Sequence, residues 1–341
     1  IADALGYNSA IELLCVDTID ERFTSELVQE FRQKIEAGCK PIVCLITKSG
    51  TTPETVINGA LFLEVLEEFF PHEYKNRLVA ITDEGSPLYE AALQEGYAIS
   101  TIPKVVGGRF SVGTAVGIVP LLLLGIDFNA VRRGAAEALG TALNTALEIN
   151  DTALTALTLY GHYKAGYKTH NLFMFSPSLV SLGQWYKQLI GESLGKKMSL
   201  TGDIVEVGFM PVISLGTTDL HSVAQLYLAG PRDVISSCIY FEDGTQRRSI
   251  PDNVLSNLIP GMSHRSVHEV HSAIVQGTIE AFKKEHRPTI ATSLEATPES
   301  IGAFLAQKMV ETILLGRLLE INPFDQPAVE LYKQETRGIL K

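Results

Sequence analysis

The chain has 341 residues, 45% of them hydrophobic and 20% charged, with 28 Lys plus Arg against 39 Asp plus Glu for a formal net charge of −11. That apolar share can offset chain entropy, which excludes global disorder, and an acidic balance without a Lys/Arg stripe excludes nucleic acid as a partner. Cys15, Cys39, Cys44 and Cys238 form no C-x-x-C pair, which excludes a disulfide scaffold and reads as reduced thiols of a cytoplasmic protein.

Along the chain, Ile1 to Leu5 reads as the end of a helix and Ile11 to Val16 as a short strand. Phe23, Leu27, Phe31 and Ile35 recur at four-residue spacing and predict an amphipathic helix that stops at Gly38. Pro41 to Ile46 has strand length, the polar segment Thr47 to Pro53 breaks it, and Glu54 to Phe70 is helical in pattern. Leu78 to Thr82 follows as a strand, Ser86-Pro87 opens a helix through Glu95, and Tyr97 to Thr101 is another strand. The most apolar run, Ala115 to Ile126, contains Pro120 and is far shorter than the ~20 residues of a membrane span, so no membrane partner is expected. Long helical stretches over Ala130 to Leu147 and Thr152 to Tyr167 separate two halves, giving expected domains at residues 1–127 and 128–341. In the second half, Leu172 to Phe175, Val212 to Leu215, Val234 to Phe241 and Thr289 to Ser293 read as strands. Helices are expected at Gln184 to Gly191, Asp219 to Leu228, Ser266 to Phe282 and Glu299 to Glu320. Strands alternating with helices of this size imply right-handed βαβ units and parallel sheets, an α/β fold.

Ligands of parallel α/β sheets gather at the carboxyl ends of strands, where helix N-termini present free N–H groups. Thr47 to Thr55 lies there and supplies hydroxyls, the Lys48 charge and Gly50, a set that fits a phosphomonoester; a loop of ordinary helix caps is the competing reading. Gly107-Gly108-Arg109 can aim a fixed cation inward or form a surface turn. Glu192 closes a predicted helix beside Gly191; it is a general-base candidate if buried near a cation and otherwise an exposed helix-end residue. His221 falls in the first turn of a predicted helix, where a neutral imidazole is favoured as a proton carrier, or where it can be purely structural. His264, His268 and His271 share one helical face, but no fourth ligand or zinc motif accompanies them, so a solvated or interface face is preferred to a metal site.

The blocks TKSGTTPET, GGRFSVGTAVG, QWYKQLIGESLGKK, GTTDLHSVAQ and FDQPAVELYKQ, in that order from Thr47 to Gln334, closely resemble the phosphoglucose isomerase family, in particular its bacterial branch. The GGR-F-S and GES-GK blocks are specific to that family, whereas the threonine-rich loop is shared with other sugar-isomerase (SIS) domains. The resemblance implies two SIS-type three-layer αβα domains with mainly parallel sheets, and interconversion of glucose 6-phosphate and fructose 6-phosphate through ring opening and an enediol. By resemblance, Thr47, Lys48, Ser49 and Thr52 hold the sugar phosphate and Gln326 closes on it. Glu192 then shuttles the proton between C2 and C1, Arg109 faces the enediolate, His221 and Lys333 open the ring, and Gln188 contacts substrate. In the family the matching histidine comes from a neighbouring subunit, which implies a homodimer with composite sites. The family chemistry requires no metal or redox cofactor, and the sequence carries no G-x-G-x-x-G fingerprint.

The family also carries a G-I-G-G-S-type loop upstream whose serine contacts substrate, and nothing in Ile1 to Lys40 matches it; with Ile1 in first place, this reads as an N-terminally incomplete chain. Pro53 and Pro327 stand where other members have different residues, both at expected helix starts, where proline is tolerated. A non-catalytic SIS-domain sensor would dispense with Glu192, Arg109 and His221, and the isomerase half of glucosamine-6-phosphate synthase shares only the phosphate loop. A dual phosphoglucose/phosphomannose isomerase shares the whole chemistry and differs only in accepting the C2 epimer.

Overall fold

The computed structural model describes residues 1–7, 10–242 and 248–340. The chain divides into two compact units, Tyr7–Ile126 and Asp127–Lys341, the latter together with Ile1–Gly6. The first six residues, expected in the first domain, thus belong with the second. Helix α1 (Ala2–Leu5) buries Ala2 and Ala4, and the Asp3 carboxylate accepts a hydrogen bond from the Ser181 hydroxyl of the larger unit.

In the smaller unit, helix α2 (Glu21–Glu36) starts at Asp20, whose carboxylate accepts the Phe23 amide at 2.9 Å. Its apolar stripe buries Leu27, Phe31 and Ile35 against Phe62, Val65 and Leu66 of α3 (Pro53–Phe69), while Phe23, in the first turn, stays 41% exposed. Strands β1 (Val43–Ile46), β2 (Leu78–Asp83) and β3 (Ala98–Ile102) form a parallel sheet in the order β1-β2-β3. Helix α3 lies so close to β1 that a Cβ on Gly59 would stand 2.7 Å from the Leu45 side chain. Helix α4 (Pro87–Glu95) is capped by Ser86 and ends at Gly96, which takes the left-handed conformation with φ 76°. Helix α5 (Ala115–Leu123) accommodates Pro120. The expected strand at Ile11 to Val16 does not form. The run has no ladder partner, Ile11, Leu13 and Leu14 are at least one-third exposed, and Val16 packs over the α2–α3 cluster. Asn58 Nδ2 ties the following turn to α3 through the Thr18 carbonyl at 2.9 Å.

In the larger unit, α6 (Phe128–Ala142) and α7 (Asp151–Lys164) precede β4 (Thr169–Met174) and α8 (Val180–Leu194). A hairpin of β5 (Lys196–Met198) and β6 (Ile204–Val207) leads to β7 (Met210–Leu215), α9 (Ala224–Ala229) and β8 (Val234–Phe241). Then come α10 (Val267–Lys284), β9 (Thr289–Leu294), α11 (Pro298–Leu318) and α12 (Val329–Ile339). The sheet is parallel in the order β7-β4-β8-β9, so the fold is α/β with mainly parallel sheets. Phe173 and Cys238 from the sheet and Phe175, just past β4, pack with Tyr227 of α9 and Val275, Ile279 and Phe282 of α10. Burial pushes the Cys238 thiol up to about 12, which makes it an inert core residue. Among the described residues no helix is long and apolar enough to cross a membrane.

Helix α8 begins four residues before its predicted start because Gly183 interrupts the apolar pattern; there a Cβ would stand 2.8 Å from the Met174 side chain. The predicted helix from Asp219 resolves into a 3₁₀ turn, Thr218–Leu220, and the short α9. The cause is Asp219, whose carboxylate accepts the Leu215 amide at 2.7 Å and the Ser222 hydroxyl at 2.6 Å, folding the chain back on its strand. His221 therefore closes a turn and is exposed, in place of the helical first turn expected for it.

Candidate active site

Within the smaller unit, the residues expected to hold phosphate converge where β1 ends. Thr47 is 5% exposed and its hydroxyl lies 2.7 Å from the Thr52 hydroxyl, with Ser49 Oγ 3.5 Å from the same atom. Thr52 is the N-cap of α3 by position, yet its side chain caps no backbone amide, being turned toward Thr47; Pro53 takes the first helical position. The loop thus presents hydroxyls beside a helix N-terminus, the arrangement that receives an anion. Gly50 has φ 70°, and a Cβ there would meet Leu88 N and Ser86 Oγ at 2.8 Å, so the loop is pressed against the start of α4.

Lys48 reaches across the carboxyl edge of the sheet and donates to the carbonyls of Lys104 and Val106 at 2.8 and 2.9 Å. Its ammonium therefore joins the threonine-rich loop to the chain leading into Gly107-Gly108-Arg109. Arg109, in a 3₁₀ turn over Gly108–Gly113, is 2% exposed, with its guanidinium carbon 5.5 Å from the Phe110 ring centroid. A buried, permanently charged fork next to the lysine-linked loop is the cation the sequence leads one to expect, in place of a surface turn.

Within the larger unit, Gln188 and Glu192 occupy successive turns of α8, and Gln188 Nε2 donates to Glu192 Oε1 at 3.0 Å. Glu192 is half-buried. Lys196 donates to the Glu192 and Ser193 carbonyls at 2.5 and 3.1 Å, and its ammonium lies 3.7 Å from the carboxylate of Asp325, the neighbour of Gln326. Glu192, Gln188 and the turn carrying Gln326 are thereby associated at one end of α8. Lys196 is not among the sequence candidates, although a cation just past a helix-ending glycine is the residue type that satisfies orphan carbonyls. Lys333 lies on α12, which buries none of its residues, and its ammonium pairs with Glu330 at 2.7 Å.

His221 and Glu192 stand at opposite ends of this unit. Gly183, near the start of α8, faces Met174 and Ile213 toward the carboxyl ends of β4 and β7, whereas Gly191 faces Pro211 at the amino end of β7. The Gly216 amide, just ahead of His221, donates to the Met174 carbonyl at 2.9 Å, which fixes the histidine turn to the carboxyl end. Between those two glycines α8 rises about 12 Å, so the histidine turn and Glu192 lie toward opposite ends of the sheet.

His268 and His271 do not form a metal centre with His264. His271 Nε2 is 2.7 Å from the Phe175 carbonyl and His268 Nε2 is 3.4 Å from Ser272 Oγ, and among the described residues no group of three His, Cys, Asp or Glu is arranged to hold a metal ion.

A family model described as phosphoglucose isomerase matches residues 1–341. The glucose-6-phosphate isomerase of Staphylococcus saprophyticus is 31% identical over 353 residues, covering 98% of this chain and 77% of the relative. That of Thermus thermophilus is 35% identical over 300 residues, covering 87% and 71%. The crystal structure of a hypothetical protein from Thermus thermophilus matches with a TM-score of 0.91 at 31% identity, over 99% of this chain and 79% of the other. A glucose-6-phosphate isomerase from Chlamydia trachomatis shares the fold with a TM-score of 0.85 at 23% identity, over 99% and 66%.

Proposed function

The chain belongs to the phosphoglucose isomerase family, and from that premise we propose that it interconverts glucose 6-phosphate and fructose 6-phosphate in glycolysis and gluconeogenesis, with the residues named above in the family's roles. The observation that carries the reading is the match over residues 1–341, a span that contains Glu192, Arg109 and His221.

The phosphate sits against the Thr47, Ser49 and Thr52 hydroxyls with Lys48 as counter-charge and Gln326 closing on it. Ring opening moves the anomeric hydroxyl proton to the ring oxygen, a step for His221 and Lys333. The Glu192 carboxylate then takes the C2 proton of the open aldose and returns it to C1, while the O2 hydroxyl proton passes to O1. One carboxylate serves both transfers because the two carbons are adjacent. Between them negative charge builds on oxygen, and the Arg109 guanidinium stabilises that charge more than the ground state. Gln188, bonded to Glu192, orients the base and touches substrate. The free cysteines suit a reducing, cytoplasmic compartment.

The separation of His221 from Glu192 supports a homodimer in which each site takes its histidine from the partner subunit. The test of the reading is interconversion of the two hexose 6-phosphates in the presence of a chelator, by the parent chain and by Glu192→Gln. Glu192→Gln is expected to lower kcat by about 100-fold or more while keeping sugar-phosphate binding. Unchanged turnover in that variant removes Glu192 from the role of base.

A further inference from the structure

The last carbonyls of a helix have no partners within it. At the end of α8 two of them, on Glu192 and Ser193, accept from the Lys196 ammonium at 2.5 and 3.1 Å. The Lys196 side chain is only 7% exposed, and a buried ammonium persists only where acceptors and counter-charge replace its water. Its third partner is Asp325, 3.7 Å away and half exposed. Asp325 is itself held from behind, because Asn322 Nδ2 donates to its other oxygen at 3.0 Å while Asn322 Oδ1 accepts the Phe324 amide at 3.1 Å. The hairpin that begins with Lys196 is pinned just upstream of that turn, at the end of α11, the Leu200 amide donating to the Glu320 carbonyl at 2.8 Å.

We propose that Lys196 is a positioning residue that couples the proposed base to the turn bearing Gln326. Seating of Gln326 on the 6-phosphate and the aim of the Glu192 carboxylate are then set by one buried cation. A lysine that merely caps α8 would need only the two carbonyls; the added contact to Asp325 is what joins the cap to the turn bearing Gln326. The inference rests on the isomerase reading and deepens it.

The experiment is steady-state kinetics of the full chain with Lys196→Met, Lys196→Arg and Asp325→Asn, alongside thermal unfolding. Misplacement of a base by about 1 Å can lower a rate 100-fold, so Lys196→Met is expected to lower kcat at least about tenfold and to raise KM. Lys196→Arg, keeping the charge and donors, is expected to recover most of the lost kcat. Asp325→Asn frees only the Gln326 turn and is expected to raise KM by about three- to tenfold with kcat within about twofold. A folded Lys196→Met with parental kcat and KM overturns the proposal, as does Lys196→Arg as impaired as Lys196→Met. If Lys196→Met does not fold, Asp325→Asn decides, and a parental KM overturns the coupling. Absence of turnover in the parent chain overturns the isomerase reading and the coupling with it; turnover in the parent with an indifferent Asp325→Asn overturns the coupling alone.

Discussion

His170 lies within β4 with no exposed surface, its Nε2 2.8 Å from Ser237 Oγ and its buried Nδ1 without a hydrogen-bond partner among the described residues. Burial, and secondarily the Lys308 charge, lowers its pKa from 6.5 to about 3. The unfolded chain takes up a proton on this histidine near pH 6.5, and the native state does so only near pH 3. Its contribution to stability is therefore complete above the unfolded value and declines as pH falls toward 3, by at most about 1.4 kcal/mol per pH unit. The urea midpoint is expected to drop between pH 6.5 and 4.5, with a shallower drop in His170→Gln, measured by tryptophan fluorescence of Trp185; equal pH slopes in both proteins would contradict this. Nearby, Lys308 and Glu311 form an ion pair at 2.7 Å with side chains 6% and 2% exposed, and the Tyr186 hydroxyl donates to the second Glu311 oxygen. Burial, then the Glu311 charge, drives the Tyr186 phenol well above its ordinary value, so it stays a donor. Neither feature is legible in the sequence. A Lys and a Glu three residues apart normally form a solvated pair, and only the packing of α8 on α11 makes this one internal.

Helices α6 and α11 meet at two glycines. A Cβ on Gly134 would stand 1.9 Å from the Glu299 carbonyl oxygen, and a Cβ on Gly302 the same distance from that of Val131. Alanine at an ordinary helix position gains about 1 kcal/mol over glycine. Here the obstacle is rigid backbone, and overpacking of about 1–3 kcal/mol prevails. Gly302→Ala is thus expected to lower the urea midpoint at unchanged m-value, whereas Gly140→Ala on α6, whose Cβ has nothing within 4 Å, should hold or raise it. A stabilised Gly302→Ala would refute the close approach. The long periodic elements were readable from sequence because burial on one face imposes their period: α2, α3, α10 and α11 appear within a few residues of their predicted bounds. The hairpin β5–β6 escapes notice since strands of three and four residues are too short to show alternation. Ile11 to Val16 misleads in the opposite way, with Val16 packing against α2 and α3 and Ile11, Leu13 and Leu14 at least one-third exposed instead of entering a sheet.

At the scale of the molecule, the residues assigned to one reaction are distributed over both units and, in the larger, over both ends of a sheet. Spacing in the sequence singles out the threonine-rich loop as a candidate anion site, but only the resemblance assembles Arg109, Glu192, His221 and Lys333 into one mechanism. The proposed composite sites predict complementation. Glu192→Gln and His221→Ala chains, each nearly inactive alone, are expected to regain up to about a quarter of parental activity when mixed under conditions of subunit exchange, because half the random dimers then hold one intact site. No recovery despite exchange, seen by size-exclusion chromatography of tagged chains, would place His221 and Glu192 in the site of one and the same subunit.

The course of α8 from the carboxyl to the amino end of its sheet has a kinetic consequence. On the proposed assignment, a subunit that keeps its base at one end and offers its histidine at the other completes nothing alone, and activity per chain becomes a function of concentration. On dilution below the dissociation constant of the proposed dimer, turnover per chain decays toward that of isolated subunits, and it returns on reconcentration, as a reversible quantity set by mass action.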